Sequence, residues 1–216
     1  MKLTEKTLIE SAKIFCDKYS TRGIKELFGV TDGKAVGTYI EHLFKEFLSE
    51  NHTFDTGNSA RGIDLPCVQT DIKVTSFRQP QSSSPFKDTK QKIYGLGYNL
   101  LIFVYNKTDD PISENAILDF VSCSFVQADR TADYTLTGLI NKHIEIGANL
   151  EDMMGLFKDK NLPGDDITYT QLAEEVFNNP PKQGYLTISN ALQWRLQYQR
   201  IVNLPKNSVE GVIKIV

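Results

Sequence analysis

The stretch from residue 57 to residue 81 contains two short apolar segments, and charged side chains interrupt both of them. Asp64 lies at the end of the first segment, and Asp71, Ile72 and Lys73 lie in the second. Side chains of a strand alternate between its two faces, so Asp71 and Lys73 are predicted to share one face while Ile72 points into the opposite layer. If the residues between Asp64 and Asp71 form a tight hairpin, the two carboxylates lie side by side. The sequence then predicts two carboxylates and one ammonium group around a single point.

This set of groups suits metal-dependent phosphoryl chemistry. Mg²⁺ is usually held by one or two carboxylates, with waters and substrate phosphate as its other ligands. Such an ion lowers the pKa of water and polarises a phosphoryl oxygen. Lys73 can orient or deprotonate the attacking water and neutralise charge in the transition state. The alternative is a solvated ion pair between Asp71 and Lys73 on a half-exposed strand.

The order of these residues resembles the signature of the PD-(D/E)XK nucleases. The run Gly62-Ile63-Asp64 is followed by six residues and then by Asp71-Ile72-Lys73. The polar continuation to Phe86 is similar to type II restriction endonucleases of bacteria, and roughly residues 37–105 carry the resemblance. It implies an α/β fold with a central mixed β-sheet flanked by helices, and hydrolysis of double-stranded DNA at a specific site.

The resemblance also implies individual roles. Asp64 and Asp71 would hold Mg²⁺ together with the backbone carbonyl of Ile72. Ile63 stands where the family has proline, and Asp55 is the alternative to Asp64. Cleavage of both strands at a symmetric site needs two active sites, so a homodimer with two-fold symmetry is expected.

The clearest helical pattern covers residues 37–50, where apolar side chains recur at helical spacing. Glu41 lies at the edge of that apolar stripe, and simple exposure to solvent is one interpretation of it. The resembled nucleases often carry a glutamate on this helix, which implies that Glu41 is an outer ligand or a ligand of a second metal ion. Gly37, one turn earlier, would let the helix approach the sheet closely.

Polar segments on both sides of the motif are predicted to be loops that contact DNA. One covers residues 51–61, and the other, residues 78–85, follows the strand with Asp71. Gln pairs bidentately with adenine and Arg with guanine in the major groove, and Ser suits either base. An ordinary loop is the alternative for each segment. The predicted contacts are Asn58, Ser59, Arg61, Arg78, Gln79, Gln81, Ser82 and Ser83.

The remaining pattern of the first 130 residues completes the predicted core. A helix over residues 88–98 would expose Lys90 and Gln91 as further DNA contacts. The continuous apolar run Leu100–Tyr105 is typical of a strand buried on both faces, and residues 106–111 indicate a turn. Further helices are predicted over residues 4–18, 132–148 and 150–158, and a further strand over residues 116–127.

The C-terminal part, residues 131–216, is predicted to be a helical region that follows a nuclease core in residues 1–130. A helix after Asp166, a turn and a second helix from Ser189 to Val202 resemble a helix-turn-helix, whose second helix enters the major groove. A two-helix layer that covers the sheet or forms a dimer interface is the alternative. The DNA contacts predicted on the second helix are Gln193, Arg195 and Gln197.

Composition limits the other classes of function. The chain has 216 residues, 40% of them hydrophobic, which suffices for the core of one domain. Its three cysteines are widely spaced, which argues against a disulfide framework or a zinc site and favours a reducing cytoplasm. We find no signal-peptide pattern and no apolar run of membrane-spanning length, so no membrane partner is expected. The net charge is −3, but basic residues concentrate in segments 60–107 and 182–206, which would face phosphate.

Two rival functions remain open from the sequence. One is a repair or recombination nuclease of the same fold, which would read the structure of DNA instead of its sequence. The other is a non-catalytic DNA-binding regulator that uses residues 165–203. The regulator predicts that an Asp71→Ala substitution leaves function intact.

Overall fold

The computed structural model describes residues 2–55, 63–85, 87–189 and 193–216. Its helices are α1 (Glu5–Tyr19), α2 (Gly33–Ser49), α3 (Lys90–Tyr94), α4 (Tyr134–Glu145), α5 (Leu150–Asp159), α6 (Asp166–Asn178) and α7 (Gln199–Val202). Its strands are β1 (Gly23–Ile24), β2 (Thr70–Ser76), β3 (Gln81–Pro85), β4 (Asn99–Asp110), β5 (Asn115–Val126), β6 (Thr187–Ile188), β7 (Gln193–Gln197) and β8 (Val212–Lys214).

A mixed five-stranded sheet forms the centre of the described chain. Its order is β1-β5-β4-β2, and β8 also pairs with β5. β2 and β4 are parallel, whereas β5 is antiparallel to β1, β4 and β8. β2 therefore forms one edge of the sheet, with a row of backbone groups available on its outer side. The predicted α/β fold class, a central mixed sheet flanked by helices, is confirmed.

The central strand β4 is buried on both faces because its apolar residues are continuous. Leu101, Phe103 and Tyr105 face the layer of α1 and α2. Phe103 packs there against Phe15 and Phe44, with ring centroids 5.7 and 4.9 Å away. The alternate residues of β4 face the opposite layer. The buried strand predicted over Leu100–Tyr105 is confirmed.

A second, three-stranded sheet covers that opposite face. It has the order β3-β7-β6, with all pairs antiparallel. Trp194 and Leu196 of β7 and the adjoining Tyr198 pack on Leu100 and Ile102 of β4. Helices α3 to α6 form a separate apolar cluster beside the sheets.

The helix predicted over Ser189–Val202 is wrong. Of the residues that the structure describes in this range, 193–197 form β7, and Gln199–Val202 alone are helical. Trp194, Leu196 and Tyr198 are all buried, which is the period-two pattern of a strand. The resembled helix-turn-helix therefore lacks its second helix, although α4, α5 and α6 do make the C-terminal region helical.

Two further local predictions are wrong and one needs shortening. Residues 81–85 form β3 and not a loop. β4 continues to Asp110 where a turn was expected, because its polar outer half pairs with β5. The helix expected over residues 88–98 ends at Tyr94, since Gly95 adopts a φ of 96°, which favours glycine. The division into regions 1–130 and 131–216 stays a prediction.

Candidate active site

A tight hairpin brings the two predicted aspartates together. Leu65 and Thr70 exchange backbone hydrogen bonds of 2.9 and 3.2 Å, and a short 3-10 turn, Pro66–Val68, connects them. The turn closes through Gln69, whose φ is 47°. Asp64 thereby lies beside the start of β2 and next to Asp71, as the sequence predicts.

Asp64 is fixed to the free edge of β2. Its Oδ2 accepts a hydrogen bond of 2.9 Å from the backbone N–H of Ile72. The N–H and C=O groups of one strand residue point to the same side, so the carbonyl of Ile72 also faces this edge and not β4. The side chain of Ile72 is 3% exposed and belongs to the apolar core. Ile72 thus anchors the site in the core and offers a backbone oxygen to it.

Asp71 and Lys73 share the other face of β2, as period-two alternation requires. Lys73 Nζ lies 2.7 Å from Asp71 Oδ2. Burial first, and then the hydrogen bond with Asp64, raise the pKa of Asp71 to about 7. Burial is the largest single influence on the pKa of Lys73 and would lower it, but the charge and hydrogen bond of Asp71, together with Tyr98 and Asp64, raise that pKa overall. Burial also opposes ionisation of Asp64, yet hydrogen bonds from Asp71, Lys45 and the Ile72 N–H lower its pKa to about 2.

Lys45 links Glu41 to this pair. Its Nζ donates hydrogen bonds of 2.6 Å to Glu41 Oε1 and 2.7 Å to Asp64 Oδ1. Glu41 therefore reaches Asp64 through a cation. Helix α2 carries both Glu41 and Lys45 and lies directly on β2, where a methyl group at Gly37 would sit 3.4 Å from the Val74 carbonyl oxygen. That distance is ordinary van der Waals contact.

The donor set at this point fits a small divalent cation. Asp64 and Asp71 are hard oxygen donors, and each is paired with one lysine, Lys45 for Asp64 and Lys73 for Asp71. Within the described ranges no group of three or more His, Cys, Asp or Glu side chains is placed to hold a metal ion. Two carboxylates and one carbonyl leave the other coordination positions to water and phosphate, as Mg²⁺ prefers.

Comparison with known proteins assigns the chain to a family. A family model described as type II restriction enzyme NspV matches residues 2–214. The chain belongs to the NspV family of type II restriction enzymes. The type II restriction enzyme NspV of Nostoc sp. (strain ATCC 29411 / PCC 7524) is 50% identical to it over 200 residues, which cover 93% of this chain and 91% of that relative. No solved structure matches the chain.

Membership of the NspV family settles the class of reaction. The chain is a site-specific DNA endonuclease, so its substrate is DNA, and type II restriction enzymes generally need a divalent metal ion. Among the described residues no helix combines the length and apolar character needed to cross a membrane. The family excludes both rival functions drawn from the sequence, the non-catalytic regulator and the nuclease that reads the structure of DNA instead of its sequence.

Predicted DNA contacts from two distant segments of this NspV-family chain meet on one ribbon. β3 and β7 pair so that Gln81 lies opposite Gln197 and Ser83 opposite Arg195. Ser82 instead points inward, where its hydroxyl contacts that of Tyr198. The backbone of Gln193 ends the same ribbon, and its side chain is outside the described part.

Other predicted contacts are separate from that ribbon. Arg78 and Gln79 are exposed in the turn that joins β2 to β3. Lys90 pairs with Glu175 at 2.5 Å on α6, and the Gln91 amide donates a 3.0 Å hydrogen bond to the Leu96 carbonyl. Both α3 residues thus already have partners within the chain. The predicted contacts Asn58, Ser59 and Arg61 lie outside the described residues.

Three polar residues near the site were missed by the sequence analysis. Lys45 follows Glu41 by four residues, a spacing that places both on one helix face and was available as a signal. Thr75 shares the face of Asp71 and Lys73 by period-two alternation. Tyr98 had no sequence signal, since it reaches the site only through the pairing of β2 with β4.

Proposed function

We propose that this enzyme cleaves double-stranded DNA by the metal-dependent chemistry of the PD-(D/E)XK nucleases, with Mg²⁺ as its metal ion. The observation that carries the proposal is the fixed position of Asp64 against the Ile72 N–H, directly beside the Asp71–Lys73 pair. A solvated surface pair needs no second carboxylate and no burial, whereas here Asp71 is 5% exposed. The family's activity and the donor set support the same proposal.

In this proposal Asp64, Asp71 and the carbonyl of Ile72 hold the ion. When bound, Mg²⁺ supplies a polarised phosphoryl oxygen, a more acidic water and charge stabilisation of the leaving oxygen. Lys73, an ammonium group paired with Asp71, orients the attacking water and offsets negative charge that develops on the phosphate. Burial of Asp71 and Lys73 strengthens these interactions, because charges interact more strongly where water is excluded.

Lys45 and Glu41 have a positioning role in this scheme. The Lys45 ammonium neutralises Asp64 and joins Glu41 to it through two hydrogen bonds. With an ion bound, Asp64 would be a direct ligand, and Glu41 on the adjoining α2 would serve as the outer ligand that the resemblance implies.

A homodimer completes the proposal. Each chain contributes one Asp64–Asp71–Lys73 set among its described residues, and cleavage of both strands at a symmetric site requires two sets related by a two-fold axis. Sedimentation equilibrium with and without a cognate duplex would measure the stoichiometry. A single chain per cleaved duplex would overturn this part alone.

The test of the catalytic assignment is digestion of methylation-free phage DNA by wild type, Asp71→Ala and Lys73→Ala with Mg²⁺, and with EDTA as a control. We expect discrete fragments from the wild type and none from either variant. A smear that both variants lose would favour a nuclease that reads DNA structure. Discrete fragments that persist in Asp71→Ala would refute the assignment.

A further inference from the structure

The β3–β7 ribbon separates its side chains cleanly between two faces. Ser82 and Ser84 of β3, together with Trp194 and Leu196 of β7, point inward. The alternate positions point outward, where Ser83, Arg195 and Gln197 are exposed and Gln81 is half-buried. Thr187 of β6, paired with Gln197, extends this face. The outward face is polar throughout and carries no acidic residue among the described positions.

The inward face attaches the ribbon to the catalytic strand. Thr75, two residues after Lys73 on the same face of β2, binds the beginning of β3. Its hydroxyl donates to the Gln81 carbonyl at 3.0 Å and accepts from the Gln81 N–H at 3.1 Å. The ribbon therefore begins shortly after the Asp71–Lys73 pair in the chain, and the Thr75 side chain of β2 fixes its position.

Two tyrosines, Tyr98 and Tyr198, lie between the ribbon and Asp71. The Tyr98 hydroxyl is within hydrogen-bonding reach of Ser84, and burial first, then the Asp71 charge, raise its pKa. The hydroxyl of the buried Tyr198 is hydrogen-bonded to that of Ser82, and burial, with a smaller contribution from the Asp71 charge, raises the pKa of Tyr198. Serines at inward positions are thus explained as partners of tyrosine hydroxyls, which leaves only the outward side chains free to meet a ligand.

We propose that the outward face of the β3–β7 ribbon reads base edges in the major groove, through Arg195, Gln81, Gln197 and Ser83. The proposal rests on the proposed function in one respect, because it places duplex DNA against β2. A two-stranded ribbon has a width that the major groove admits, and Arg and Gln make bidentate pairs with guanine and adenine there. No ion pair of the described residues involves Arg195, so its guanidinium is available.

The occupant is double-stranded DNA because two independent features select it. The substrate of the family is DNA, and the ribbon is continuous with the strand that carries Asp71 and Lys73. The outward side chains have the donors and acceptors of base readers and include only one cation among the described positions, which is less than a phosphate-binding surface would need. This combination favours sequence reading over non-specific attachment.

The test measures binding without relying on cleavage. Duplexes bound by wild type in Ca²⁺ are selected from a random pool to define the site, and anisotropy then gives the affinity for that duplex and for each single base-pair replacement. Arg195→Ala, Gln81→Ala and Gln197→Ala are compared with Arg22→Ala. Arg22 is exposed just after α1, on the side of the main sheet opposite to the ribbon, and is the matched control.

We expect Arg195→Ala to lose about ten- to a hundred-fold in affinity for the selected duplex and to lose discrimination at one base-pair position. Each Gln variant should lose discrimination at a different position, and Arg22→Ala should keep the wild-type profile. Equal weakening on every duplex, with a smaller salt dependence, would identify Arg195 as a phosphate contact and overturn the proposal. Unchanged discrimination in all three ribbon variants would overturn it too.

Failure of this proposal is distinguishable from failure of the catalytic one. If wild type binds one sequence selectively but cleaves nothing with Mg²⁺, the assignment of Asp71 and Lys73 fails while the ribbon is still judged by its binding profile. If wild type cleaves discretely and the ribbon variants keep full discrimination, the catalytic assignment stands without the ribbon. Melting by circular dichroism of each variant confirms that the exposed substitutions leave the fold intact.

Discussion

The chain contains two Asp and Lys pairs with the same spacing on neighbouring strands, and the surroundings of their carboxylates differ. On β2, Asp71 and Lys73 have side chains that are 7% and 21% exposed. On β4, Lys107 and Asp109 pair on the outer half of the hairpin, where the Lys107 side chain is 13% exposed and the Asp109 side chain 31% exposed. The hydrogen bond from Lys107 lowers the pKa of Asp109, while burial and Asp64 raise that of Asp71.

The difference shows what sets the proposed catalytic site apart from an ordinary ion pair. Spacing alone gives an Asp–Lys contact, as both strands demonstrate. Of the two strands, β2 adds a second carboxylate, because the hairpin before it brings Asp64 to the free edge. β2 also lies beneath a helix and a ribbon, and its aspartate is the more buried of the two. The second carboxylate and the burial of Asp71, and not the Asp-x-Lys spacing, therefore distinguish the proposed site.

Removal of the aspartate is expected to give the largest difference in cleavage rate between the two Asp–Lys pairs. Asp71→Ala should reduce the single-turnover cleavage rate by more than about a thousand-fold, since a metal ligand supports several kcal/mol of transition-state stabilisation. Asp109→Ala, its matched control, should stay within about two-fold of wild type. Quench-flow or gel assays on one cognate duplex would measure both rates. Comparable losses in the two variants would remove the distinction between the pairs.

Removal of the lysine is expected to give the second-largest difference in cleavage rate between the two pairs. Lys73→Ala should slow cleavage by about a hundred-fold or more, the usual size of the loss of one group that stabilises transition-state charge, and leave affinity for the duplex in Ca²⁺ nearly unchanged. Lys107→Ala should change neither quantity. Lys73→Arg should recover part of the rate, because arginine keeps a positive charge at this position. A rate in Lys73→Arg as low as in Lys73→Ala would show that positive charge alone is not what Lys73 supplies.

Replacement of Lys45, which bridges Glu41 and Asp64, should change the free energy of unfolding more than the cleavage rate. Lys45→Met leaves Asp64 and Glu41 without their common counterion, so the metal-free protein should lose about 1–2 kcal/mol of unfolding free energy in urea. Lys13→Met removes an exposed pair of the same i,i+4 spacing, in which Lys13 Nζ lies 2.8 Å from Asp17, and should leave the free energy of unfolding close to that of wild type. Equal costs in both variants would show that Lys45 is an ordinary surface partner.

An expected effect of similar size is stabilisation by the metal ion itself. Ca²⁺ at ten times its Kd should stabilise wild type by about 1.4 kcal/mol, or about 3–6 °C in Tm for a chain of this size. Asp71→Asn should abolish that shift, and Asp109→Asn should retain it. Removal of the ion with EDTA should restore the lower Tm. A shift that survives in Asp71→Asn would place the ion elsewhere.

The sequence predicted the centre of the site because its geometry is local. Asp71, Ile72 and Lys73 follow from strand alternation alone, and Asp64 follows from one tight hairpin. The buried strand over Leu100–Tyr105 is equally local, since a short, continuous apolar run that ends in a polar segment is typical of a strand covered on both faces. These elements need no knowledge of distant residues.

The ribbon could not be predicted in the same way, because its strands lie more than a hundred residues apart and pair only in the folded chain. The inward positions of β3 are serines, so the segment lacks the apolar alternation that indicates a strand. In β7 the inward Trp194 and Leu196 do alternate, but the Gln and Arg between them favour helix by propensity. The tyrosines that satisfy both serines become visible only after packing.

The alternation of inward and outward side chains along the ribbon has a consequence for how the sequence of such an enzyme can change in evolution. Residues at even positions of β3 and β7, such as Ser84 and Trp194, hold the fold and the catalytic strand in place. Those at odd positions, such as Ser83 and Arg195, face solvent and are not part of the apolar core. Substitutions confined to odd positions are therefore nearly neutral for folding. During evolution the outward residues of the ribbon can therefore change one at a time while the inward residues keep β2 in place.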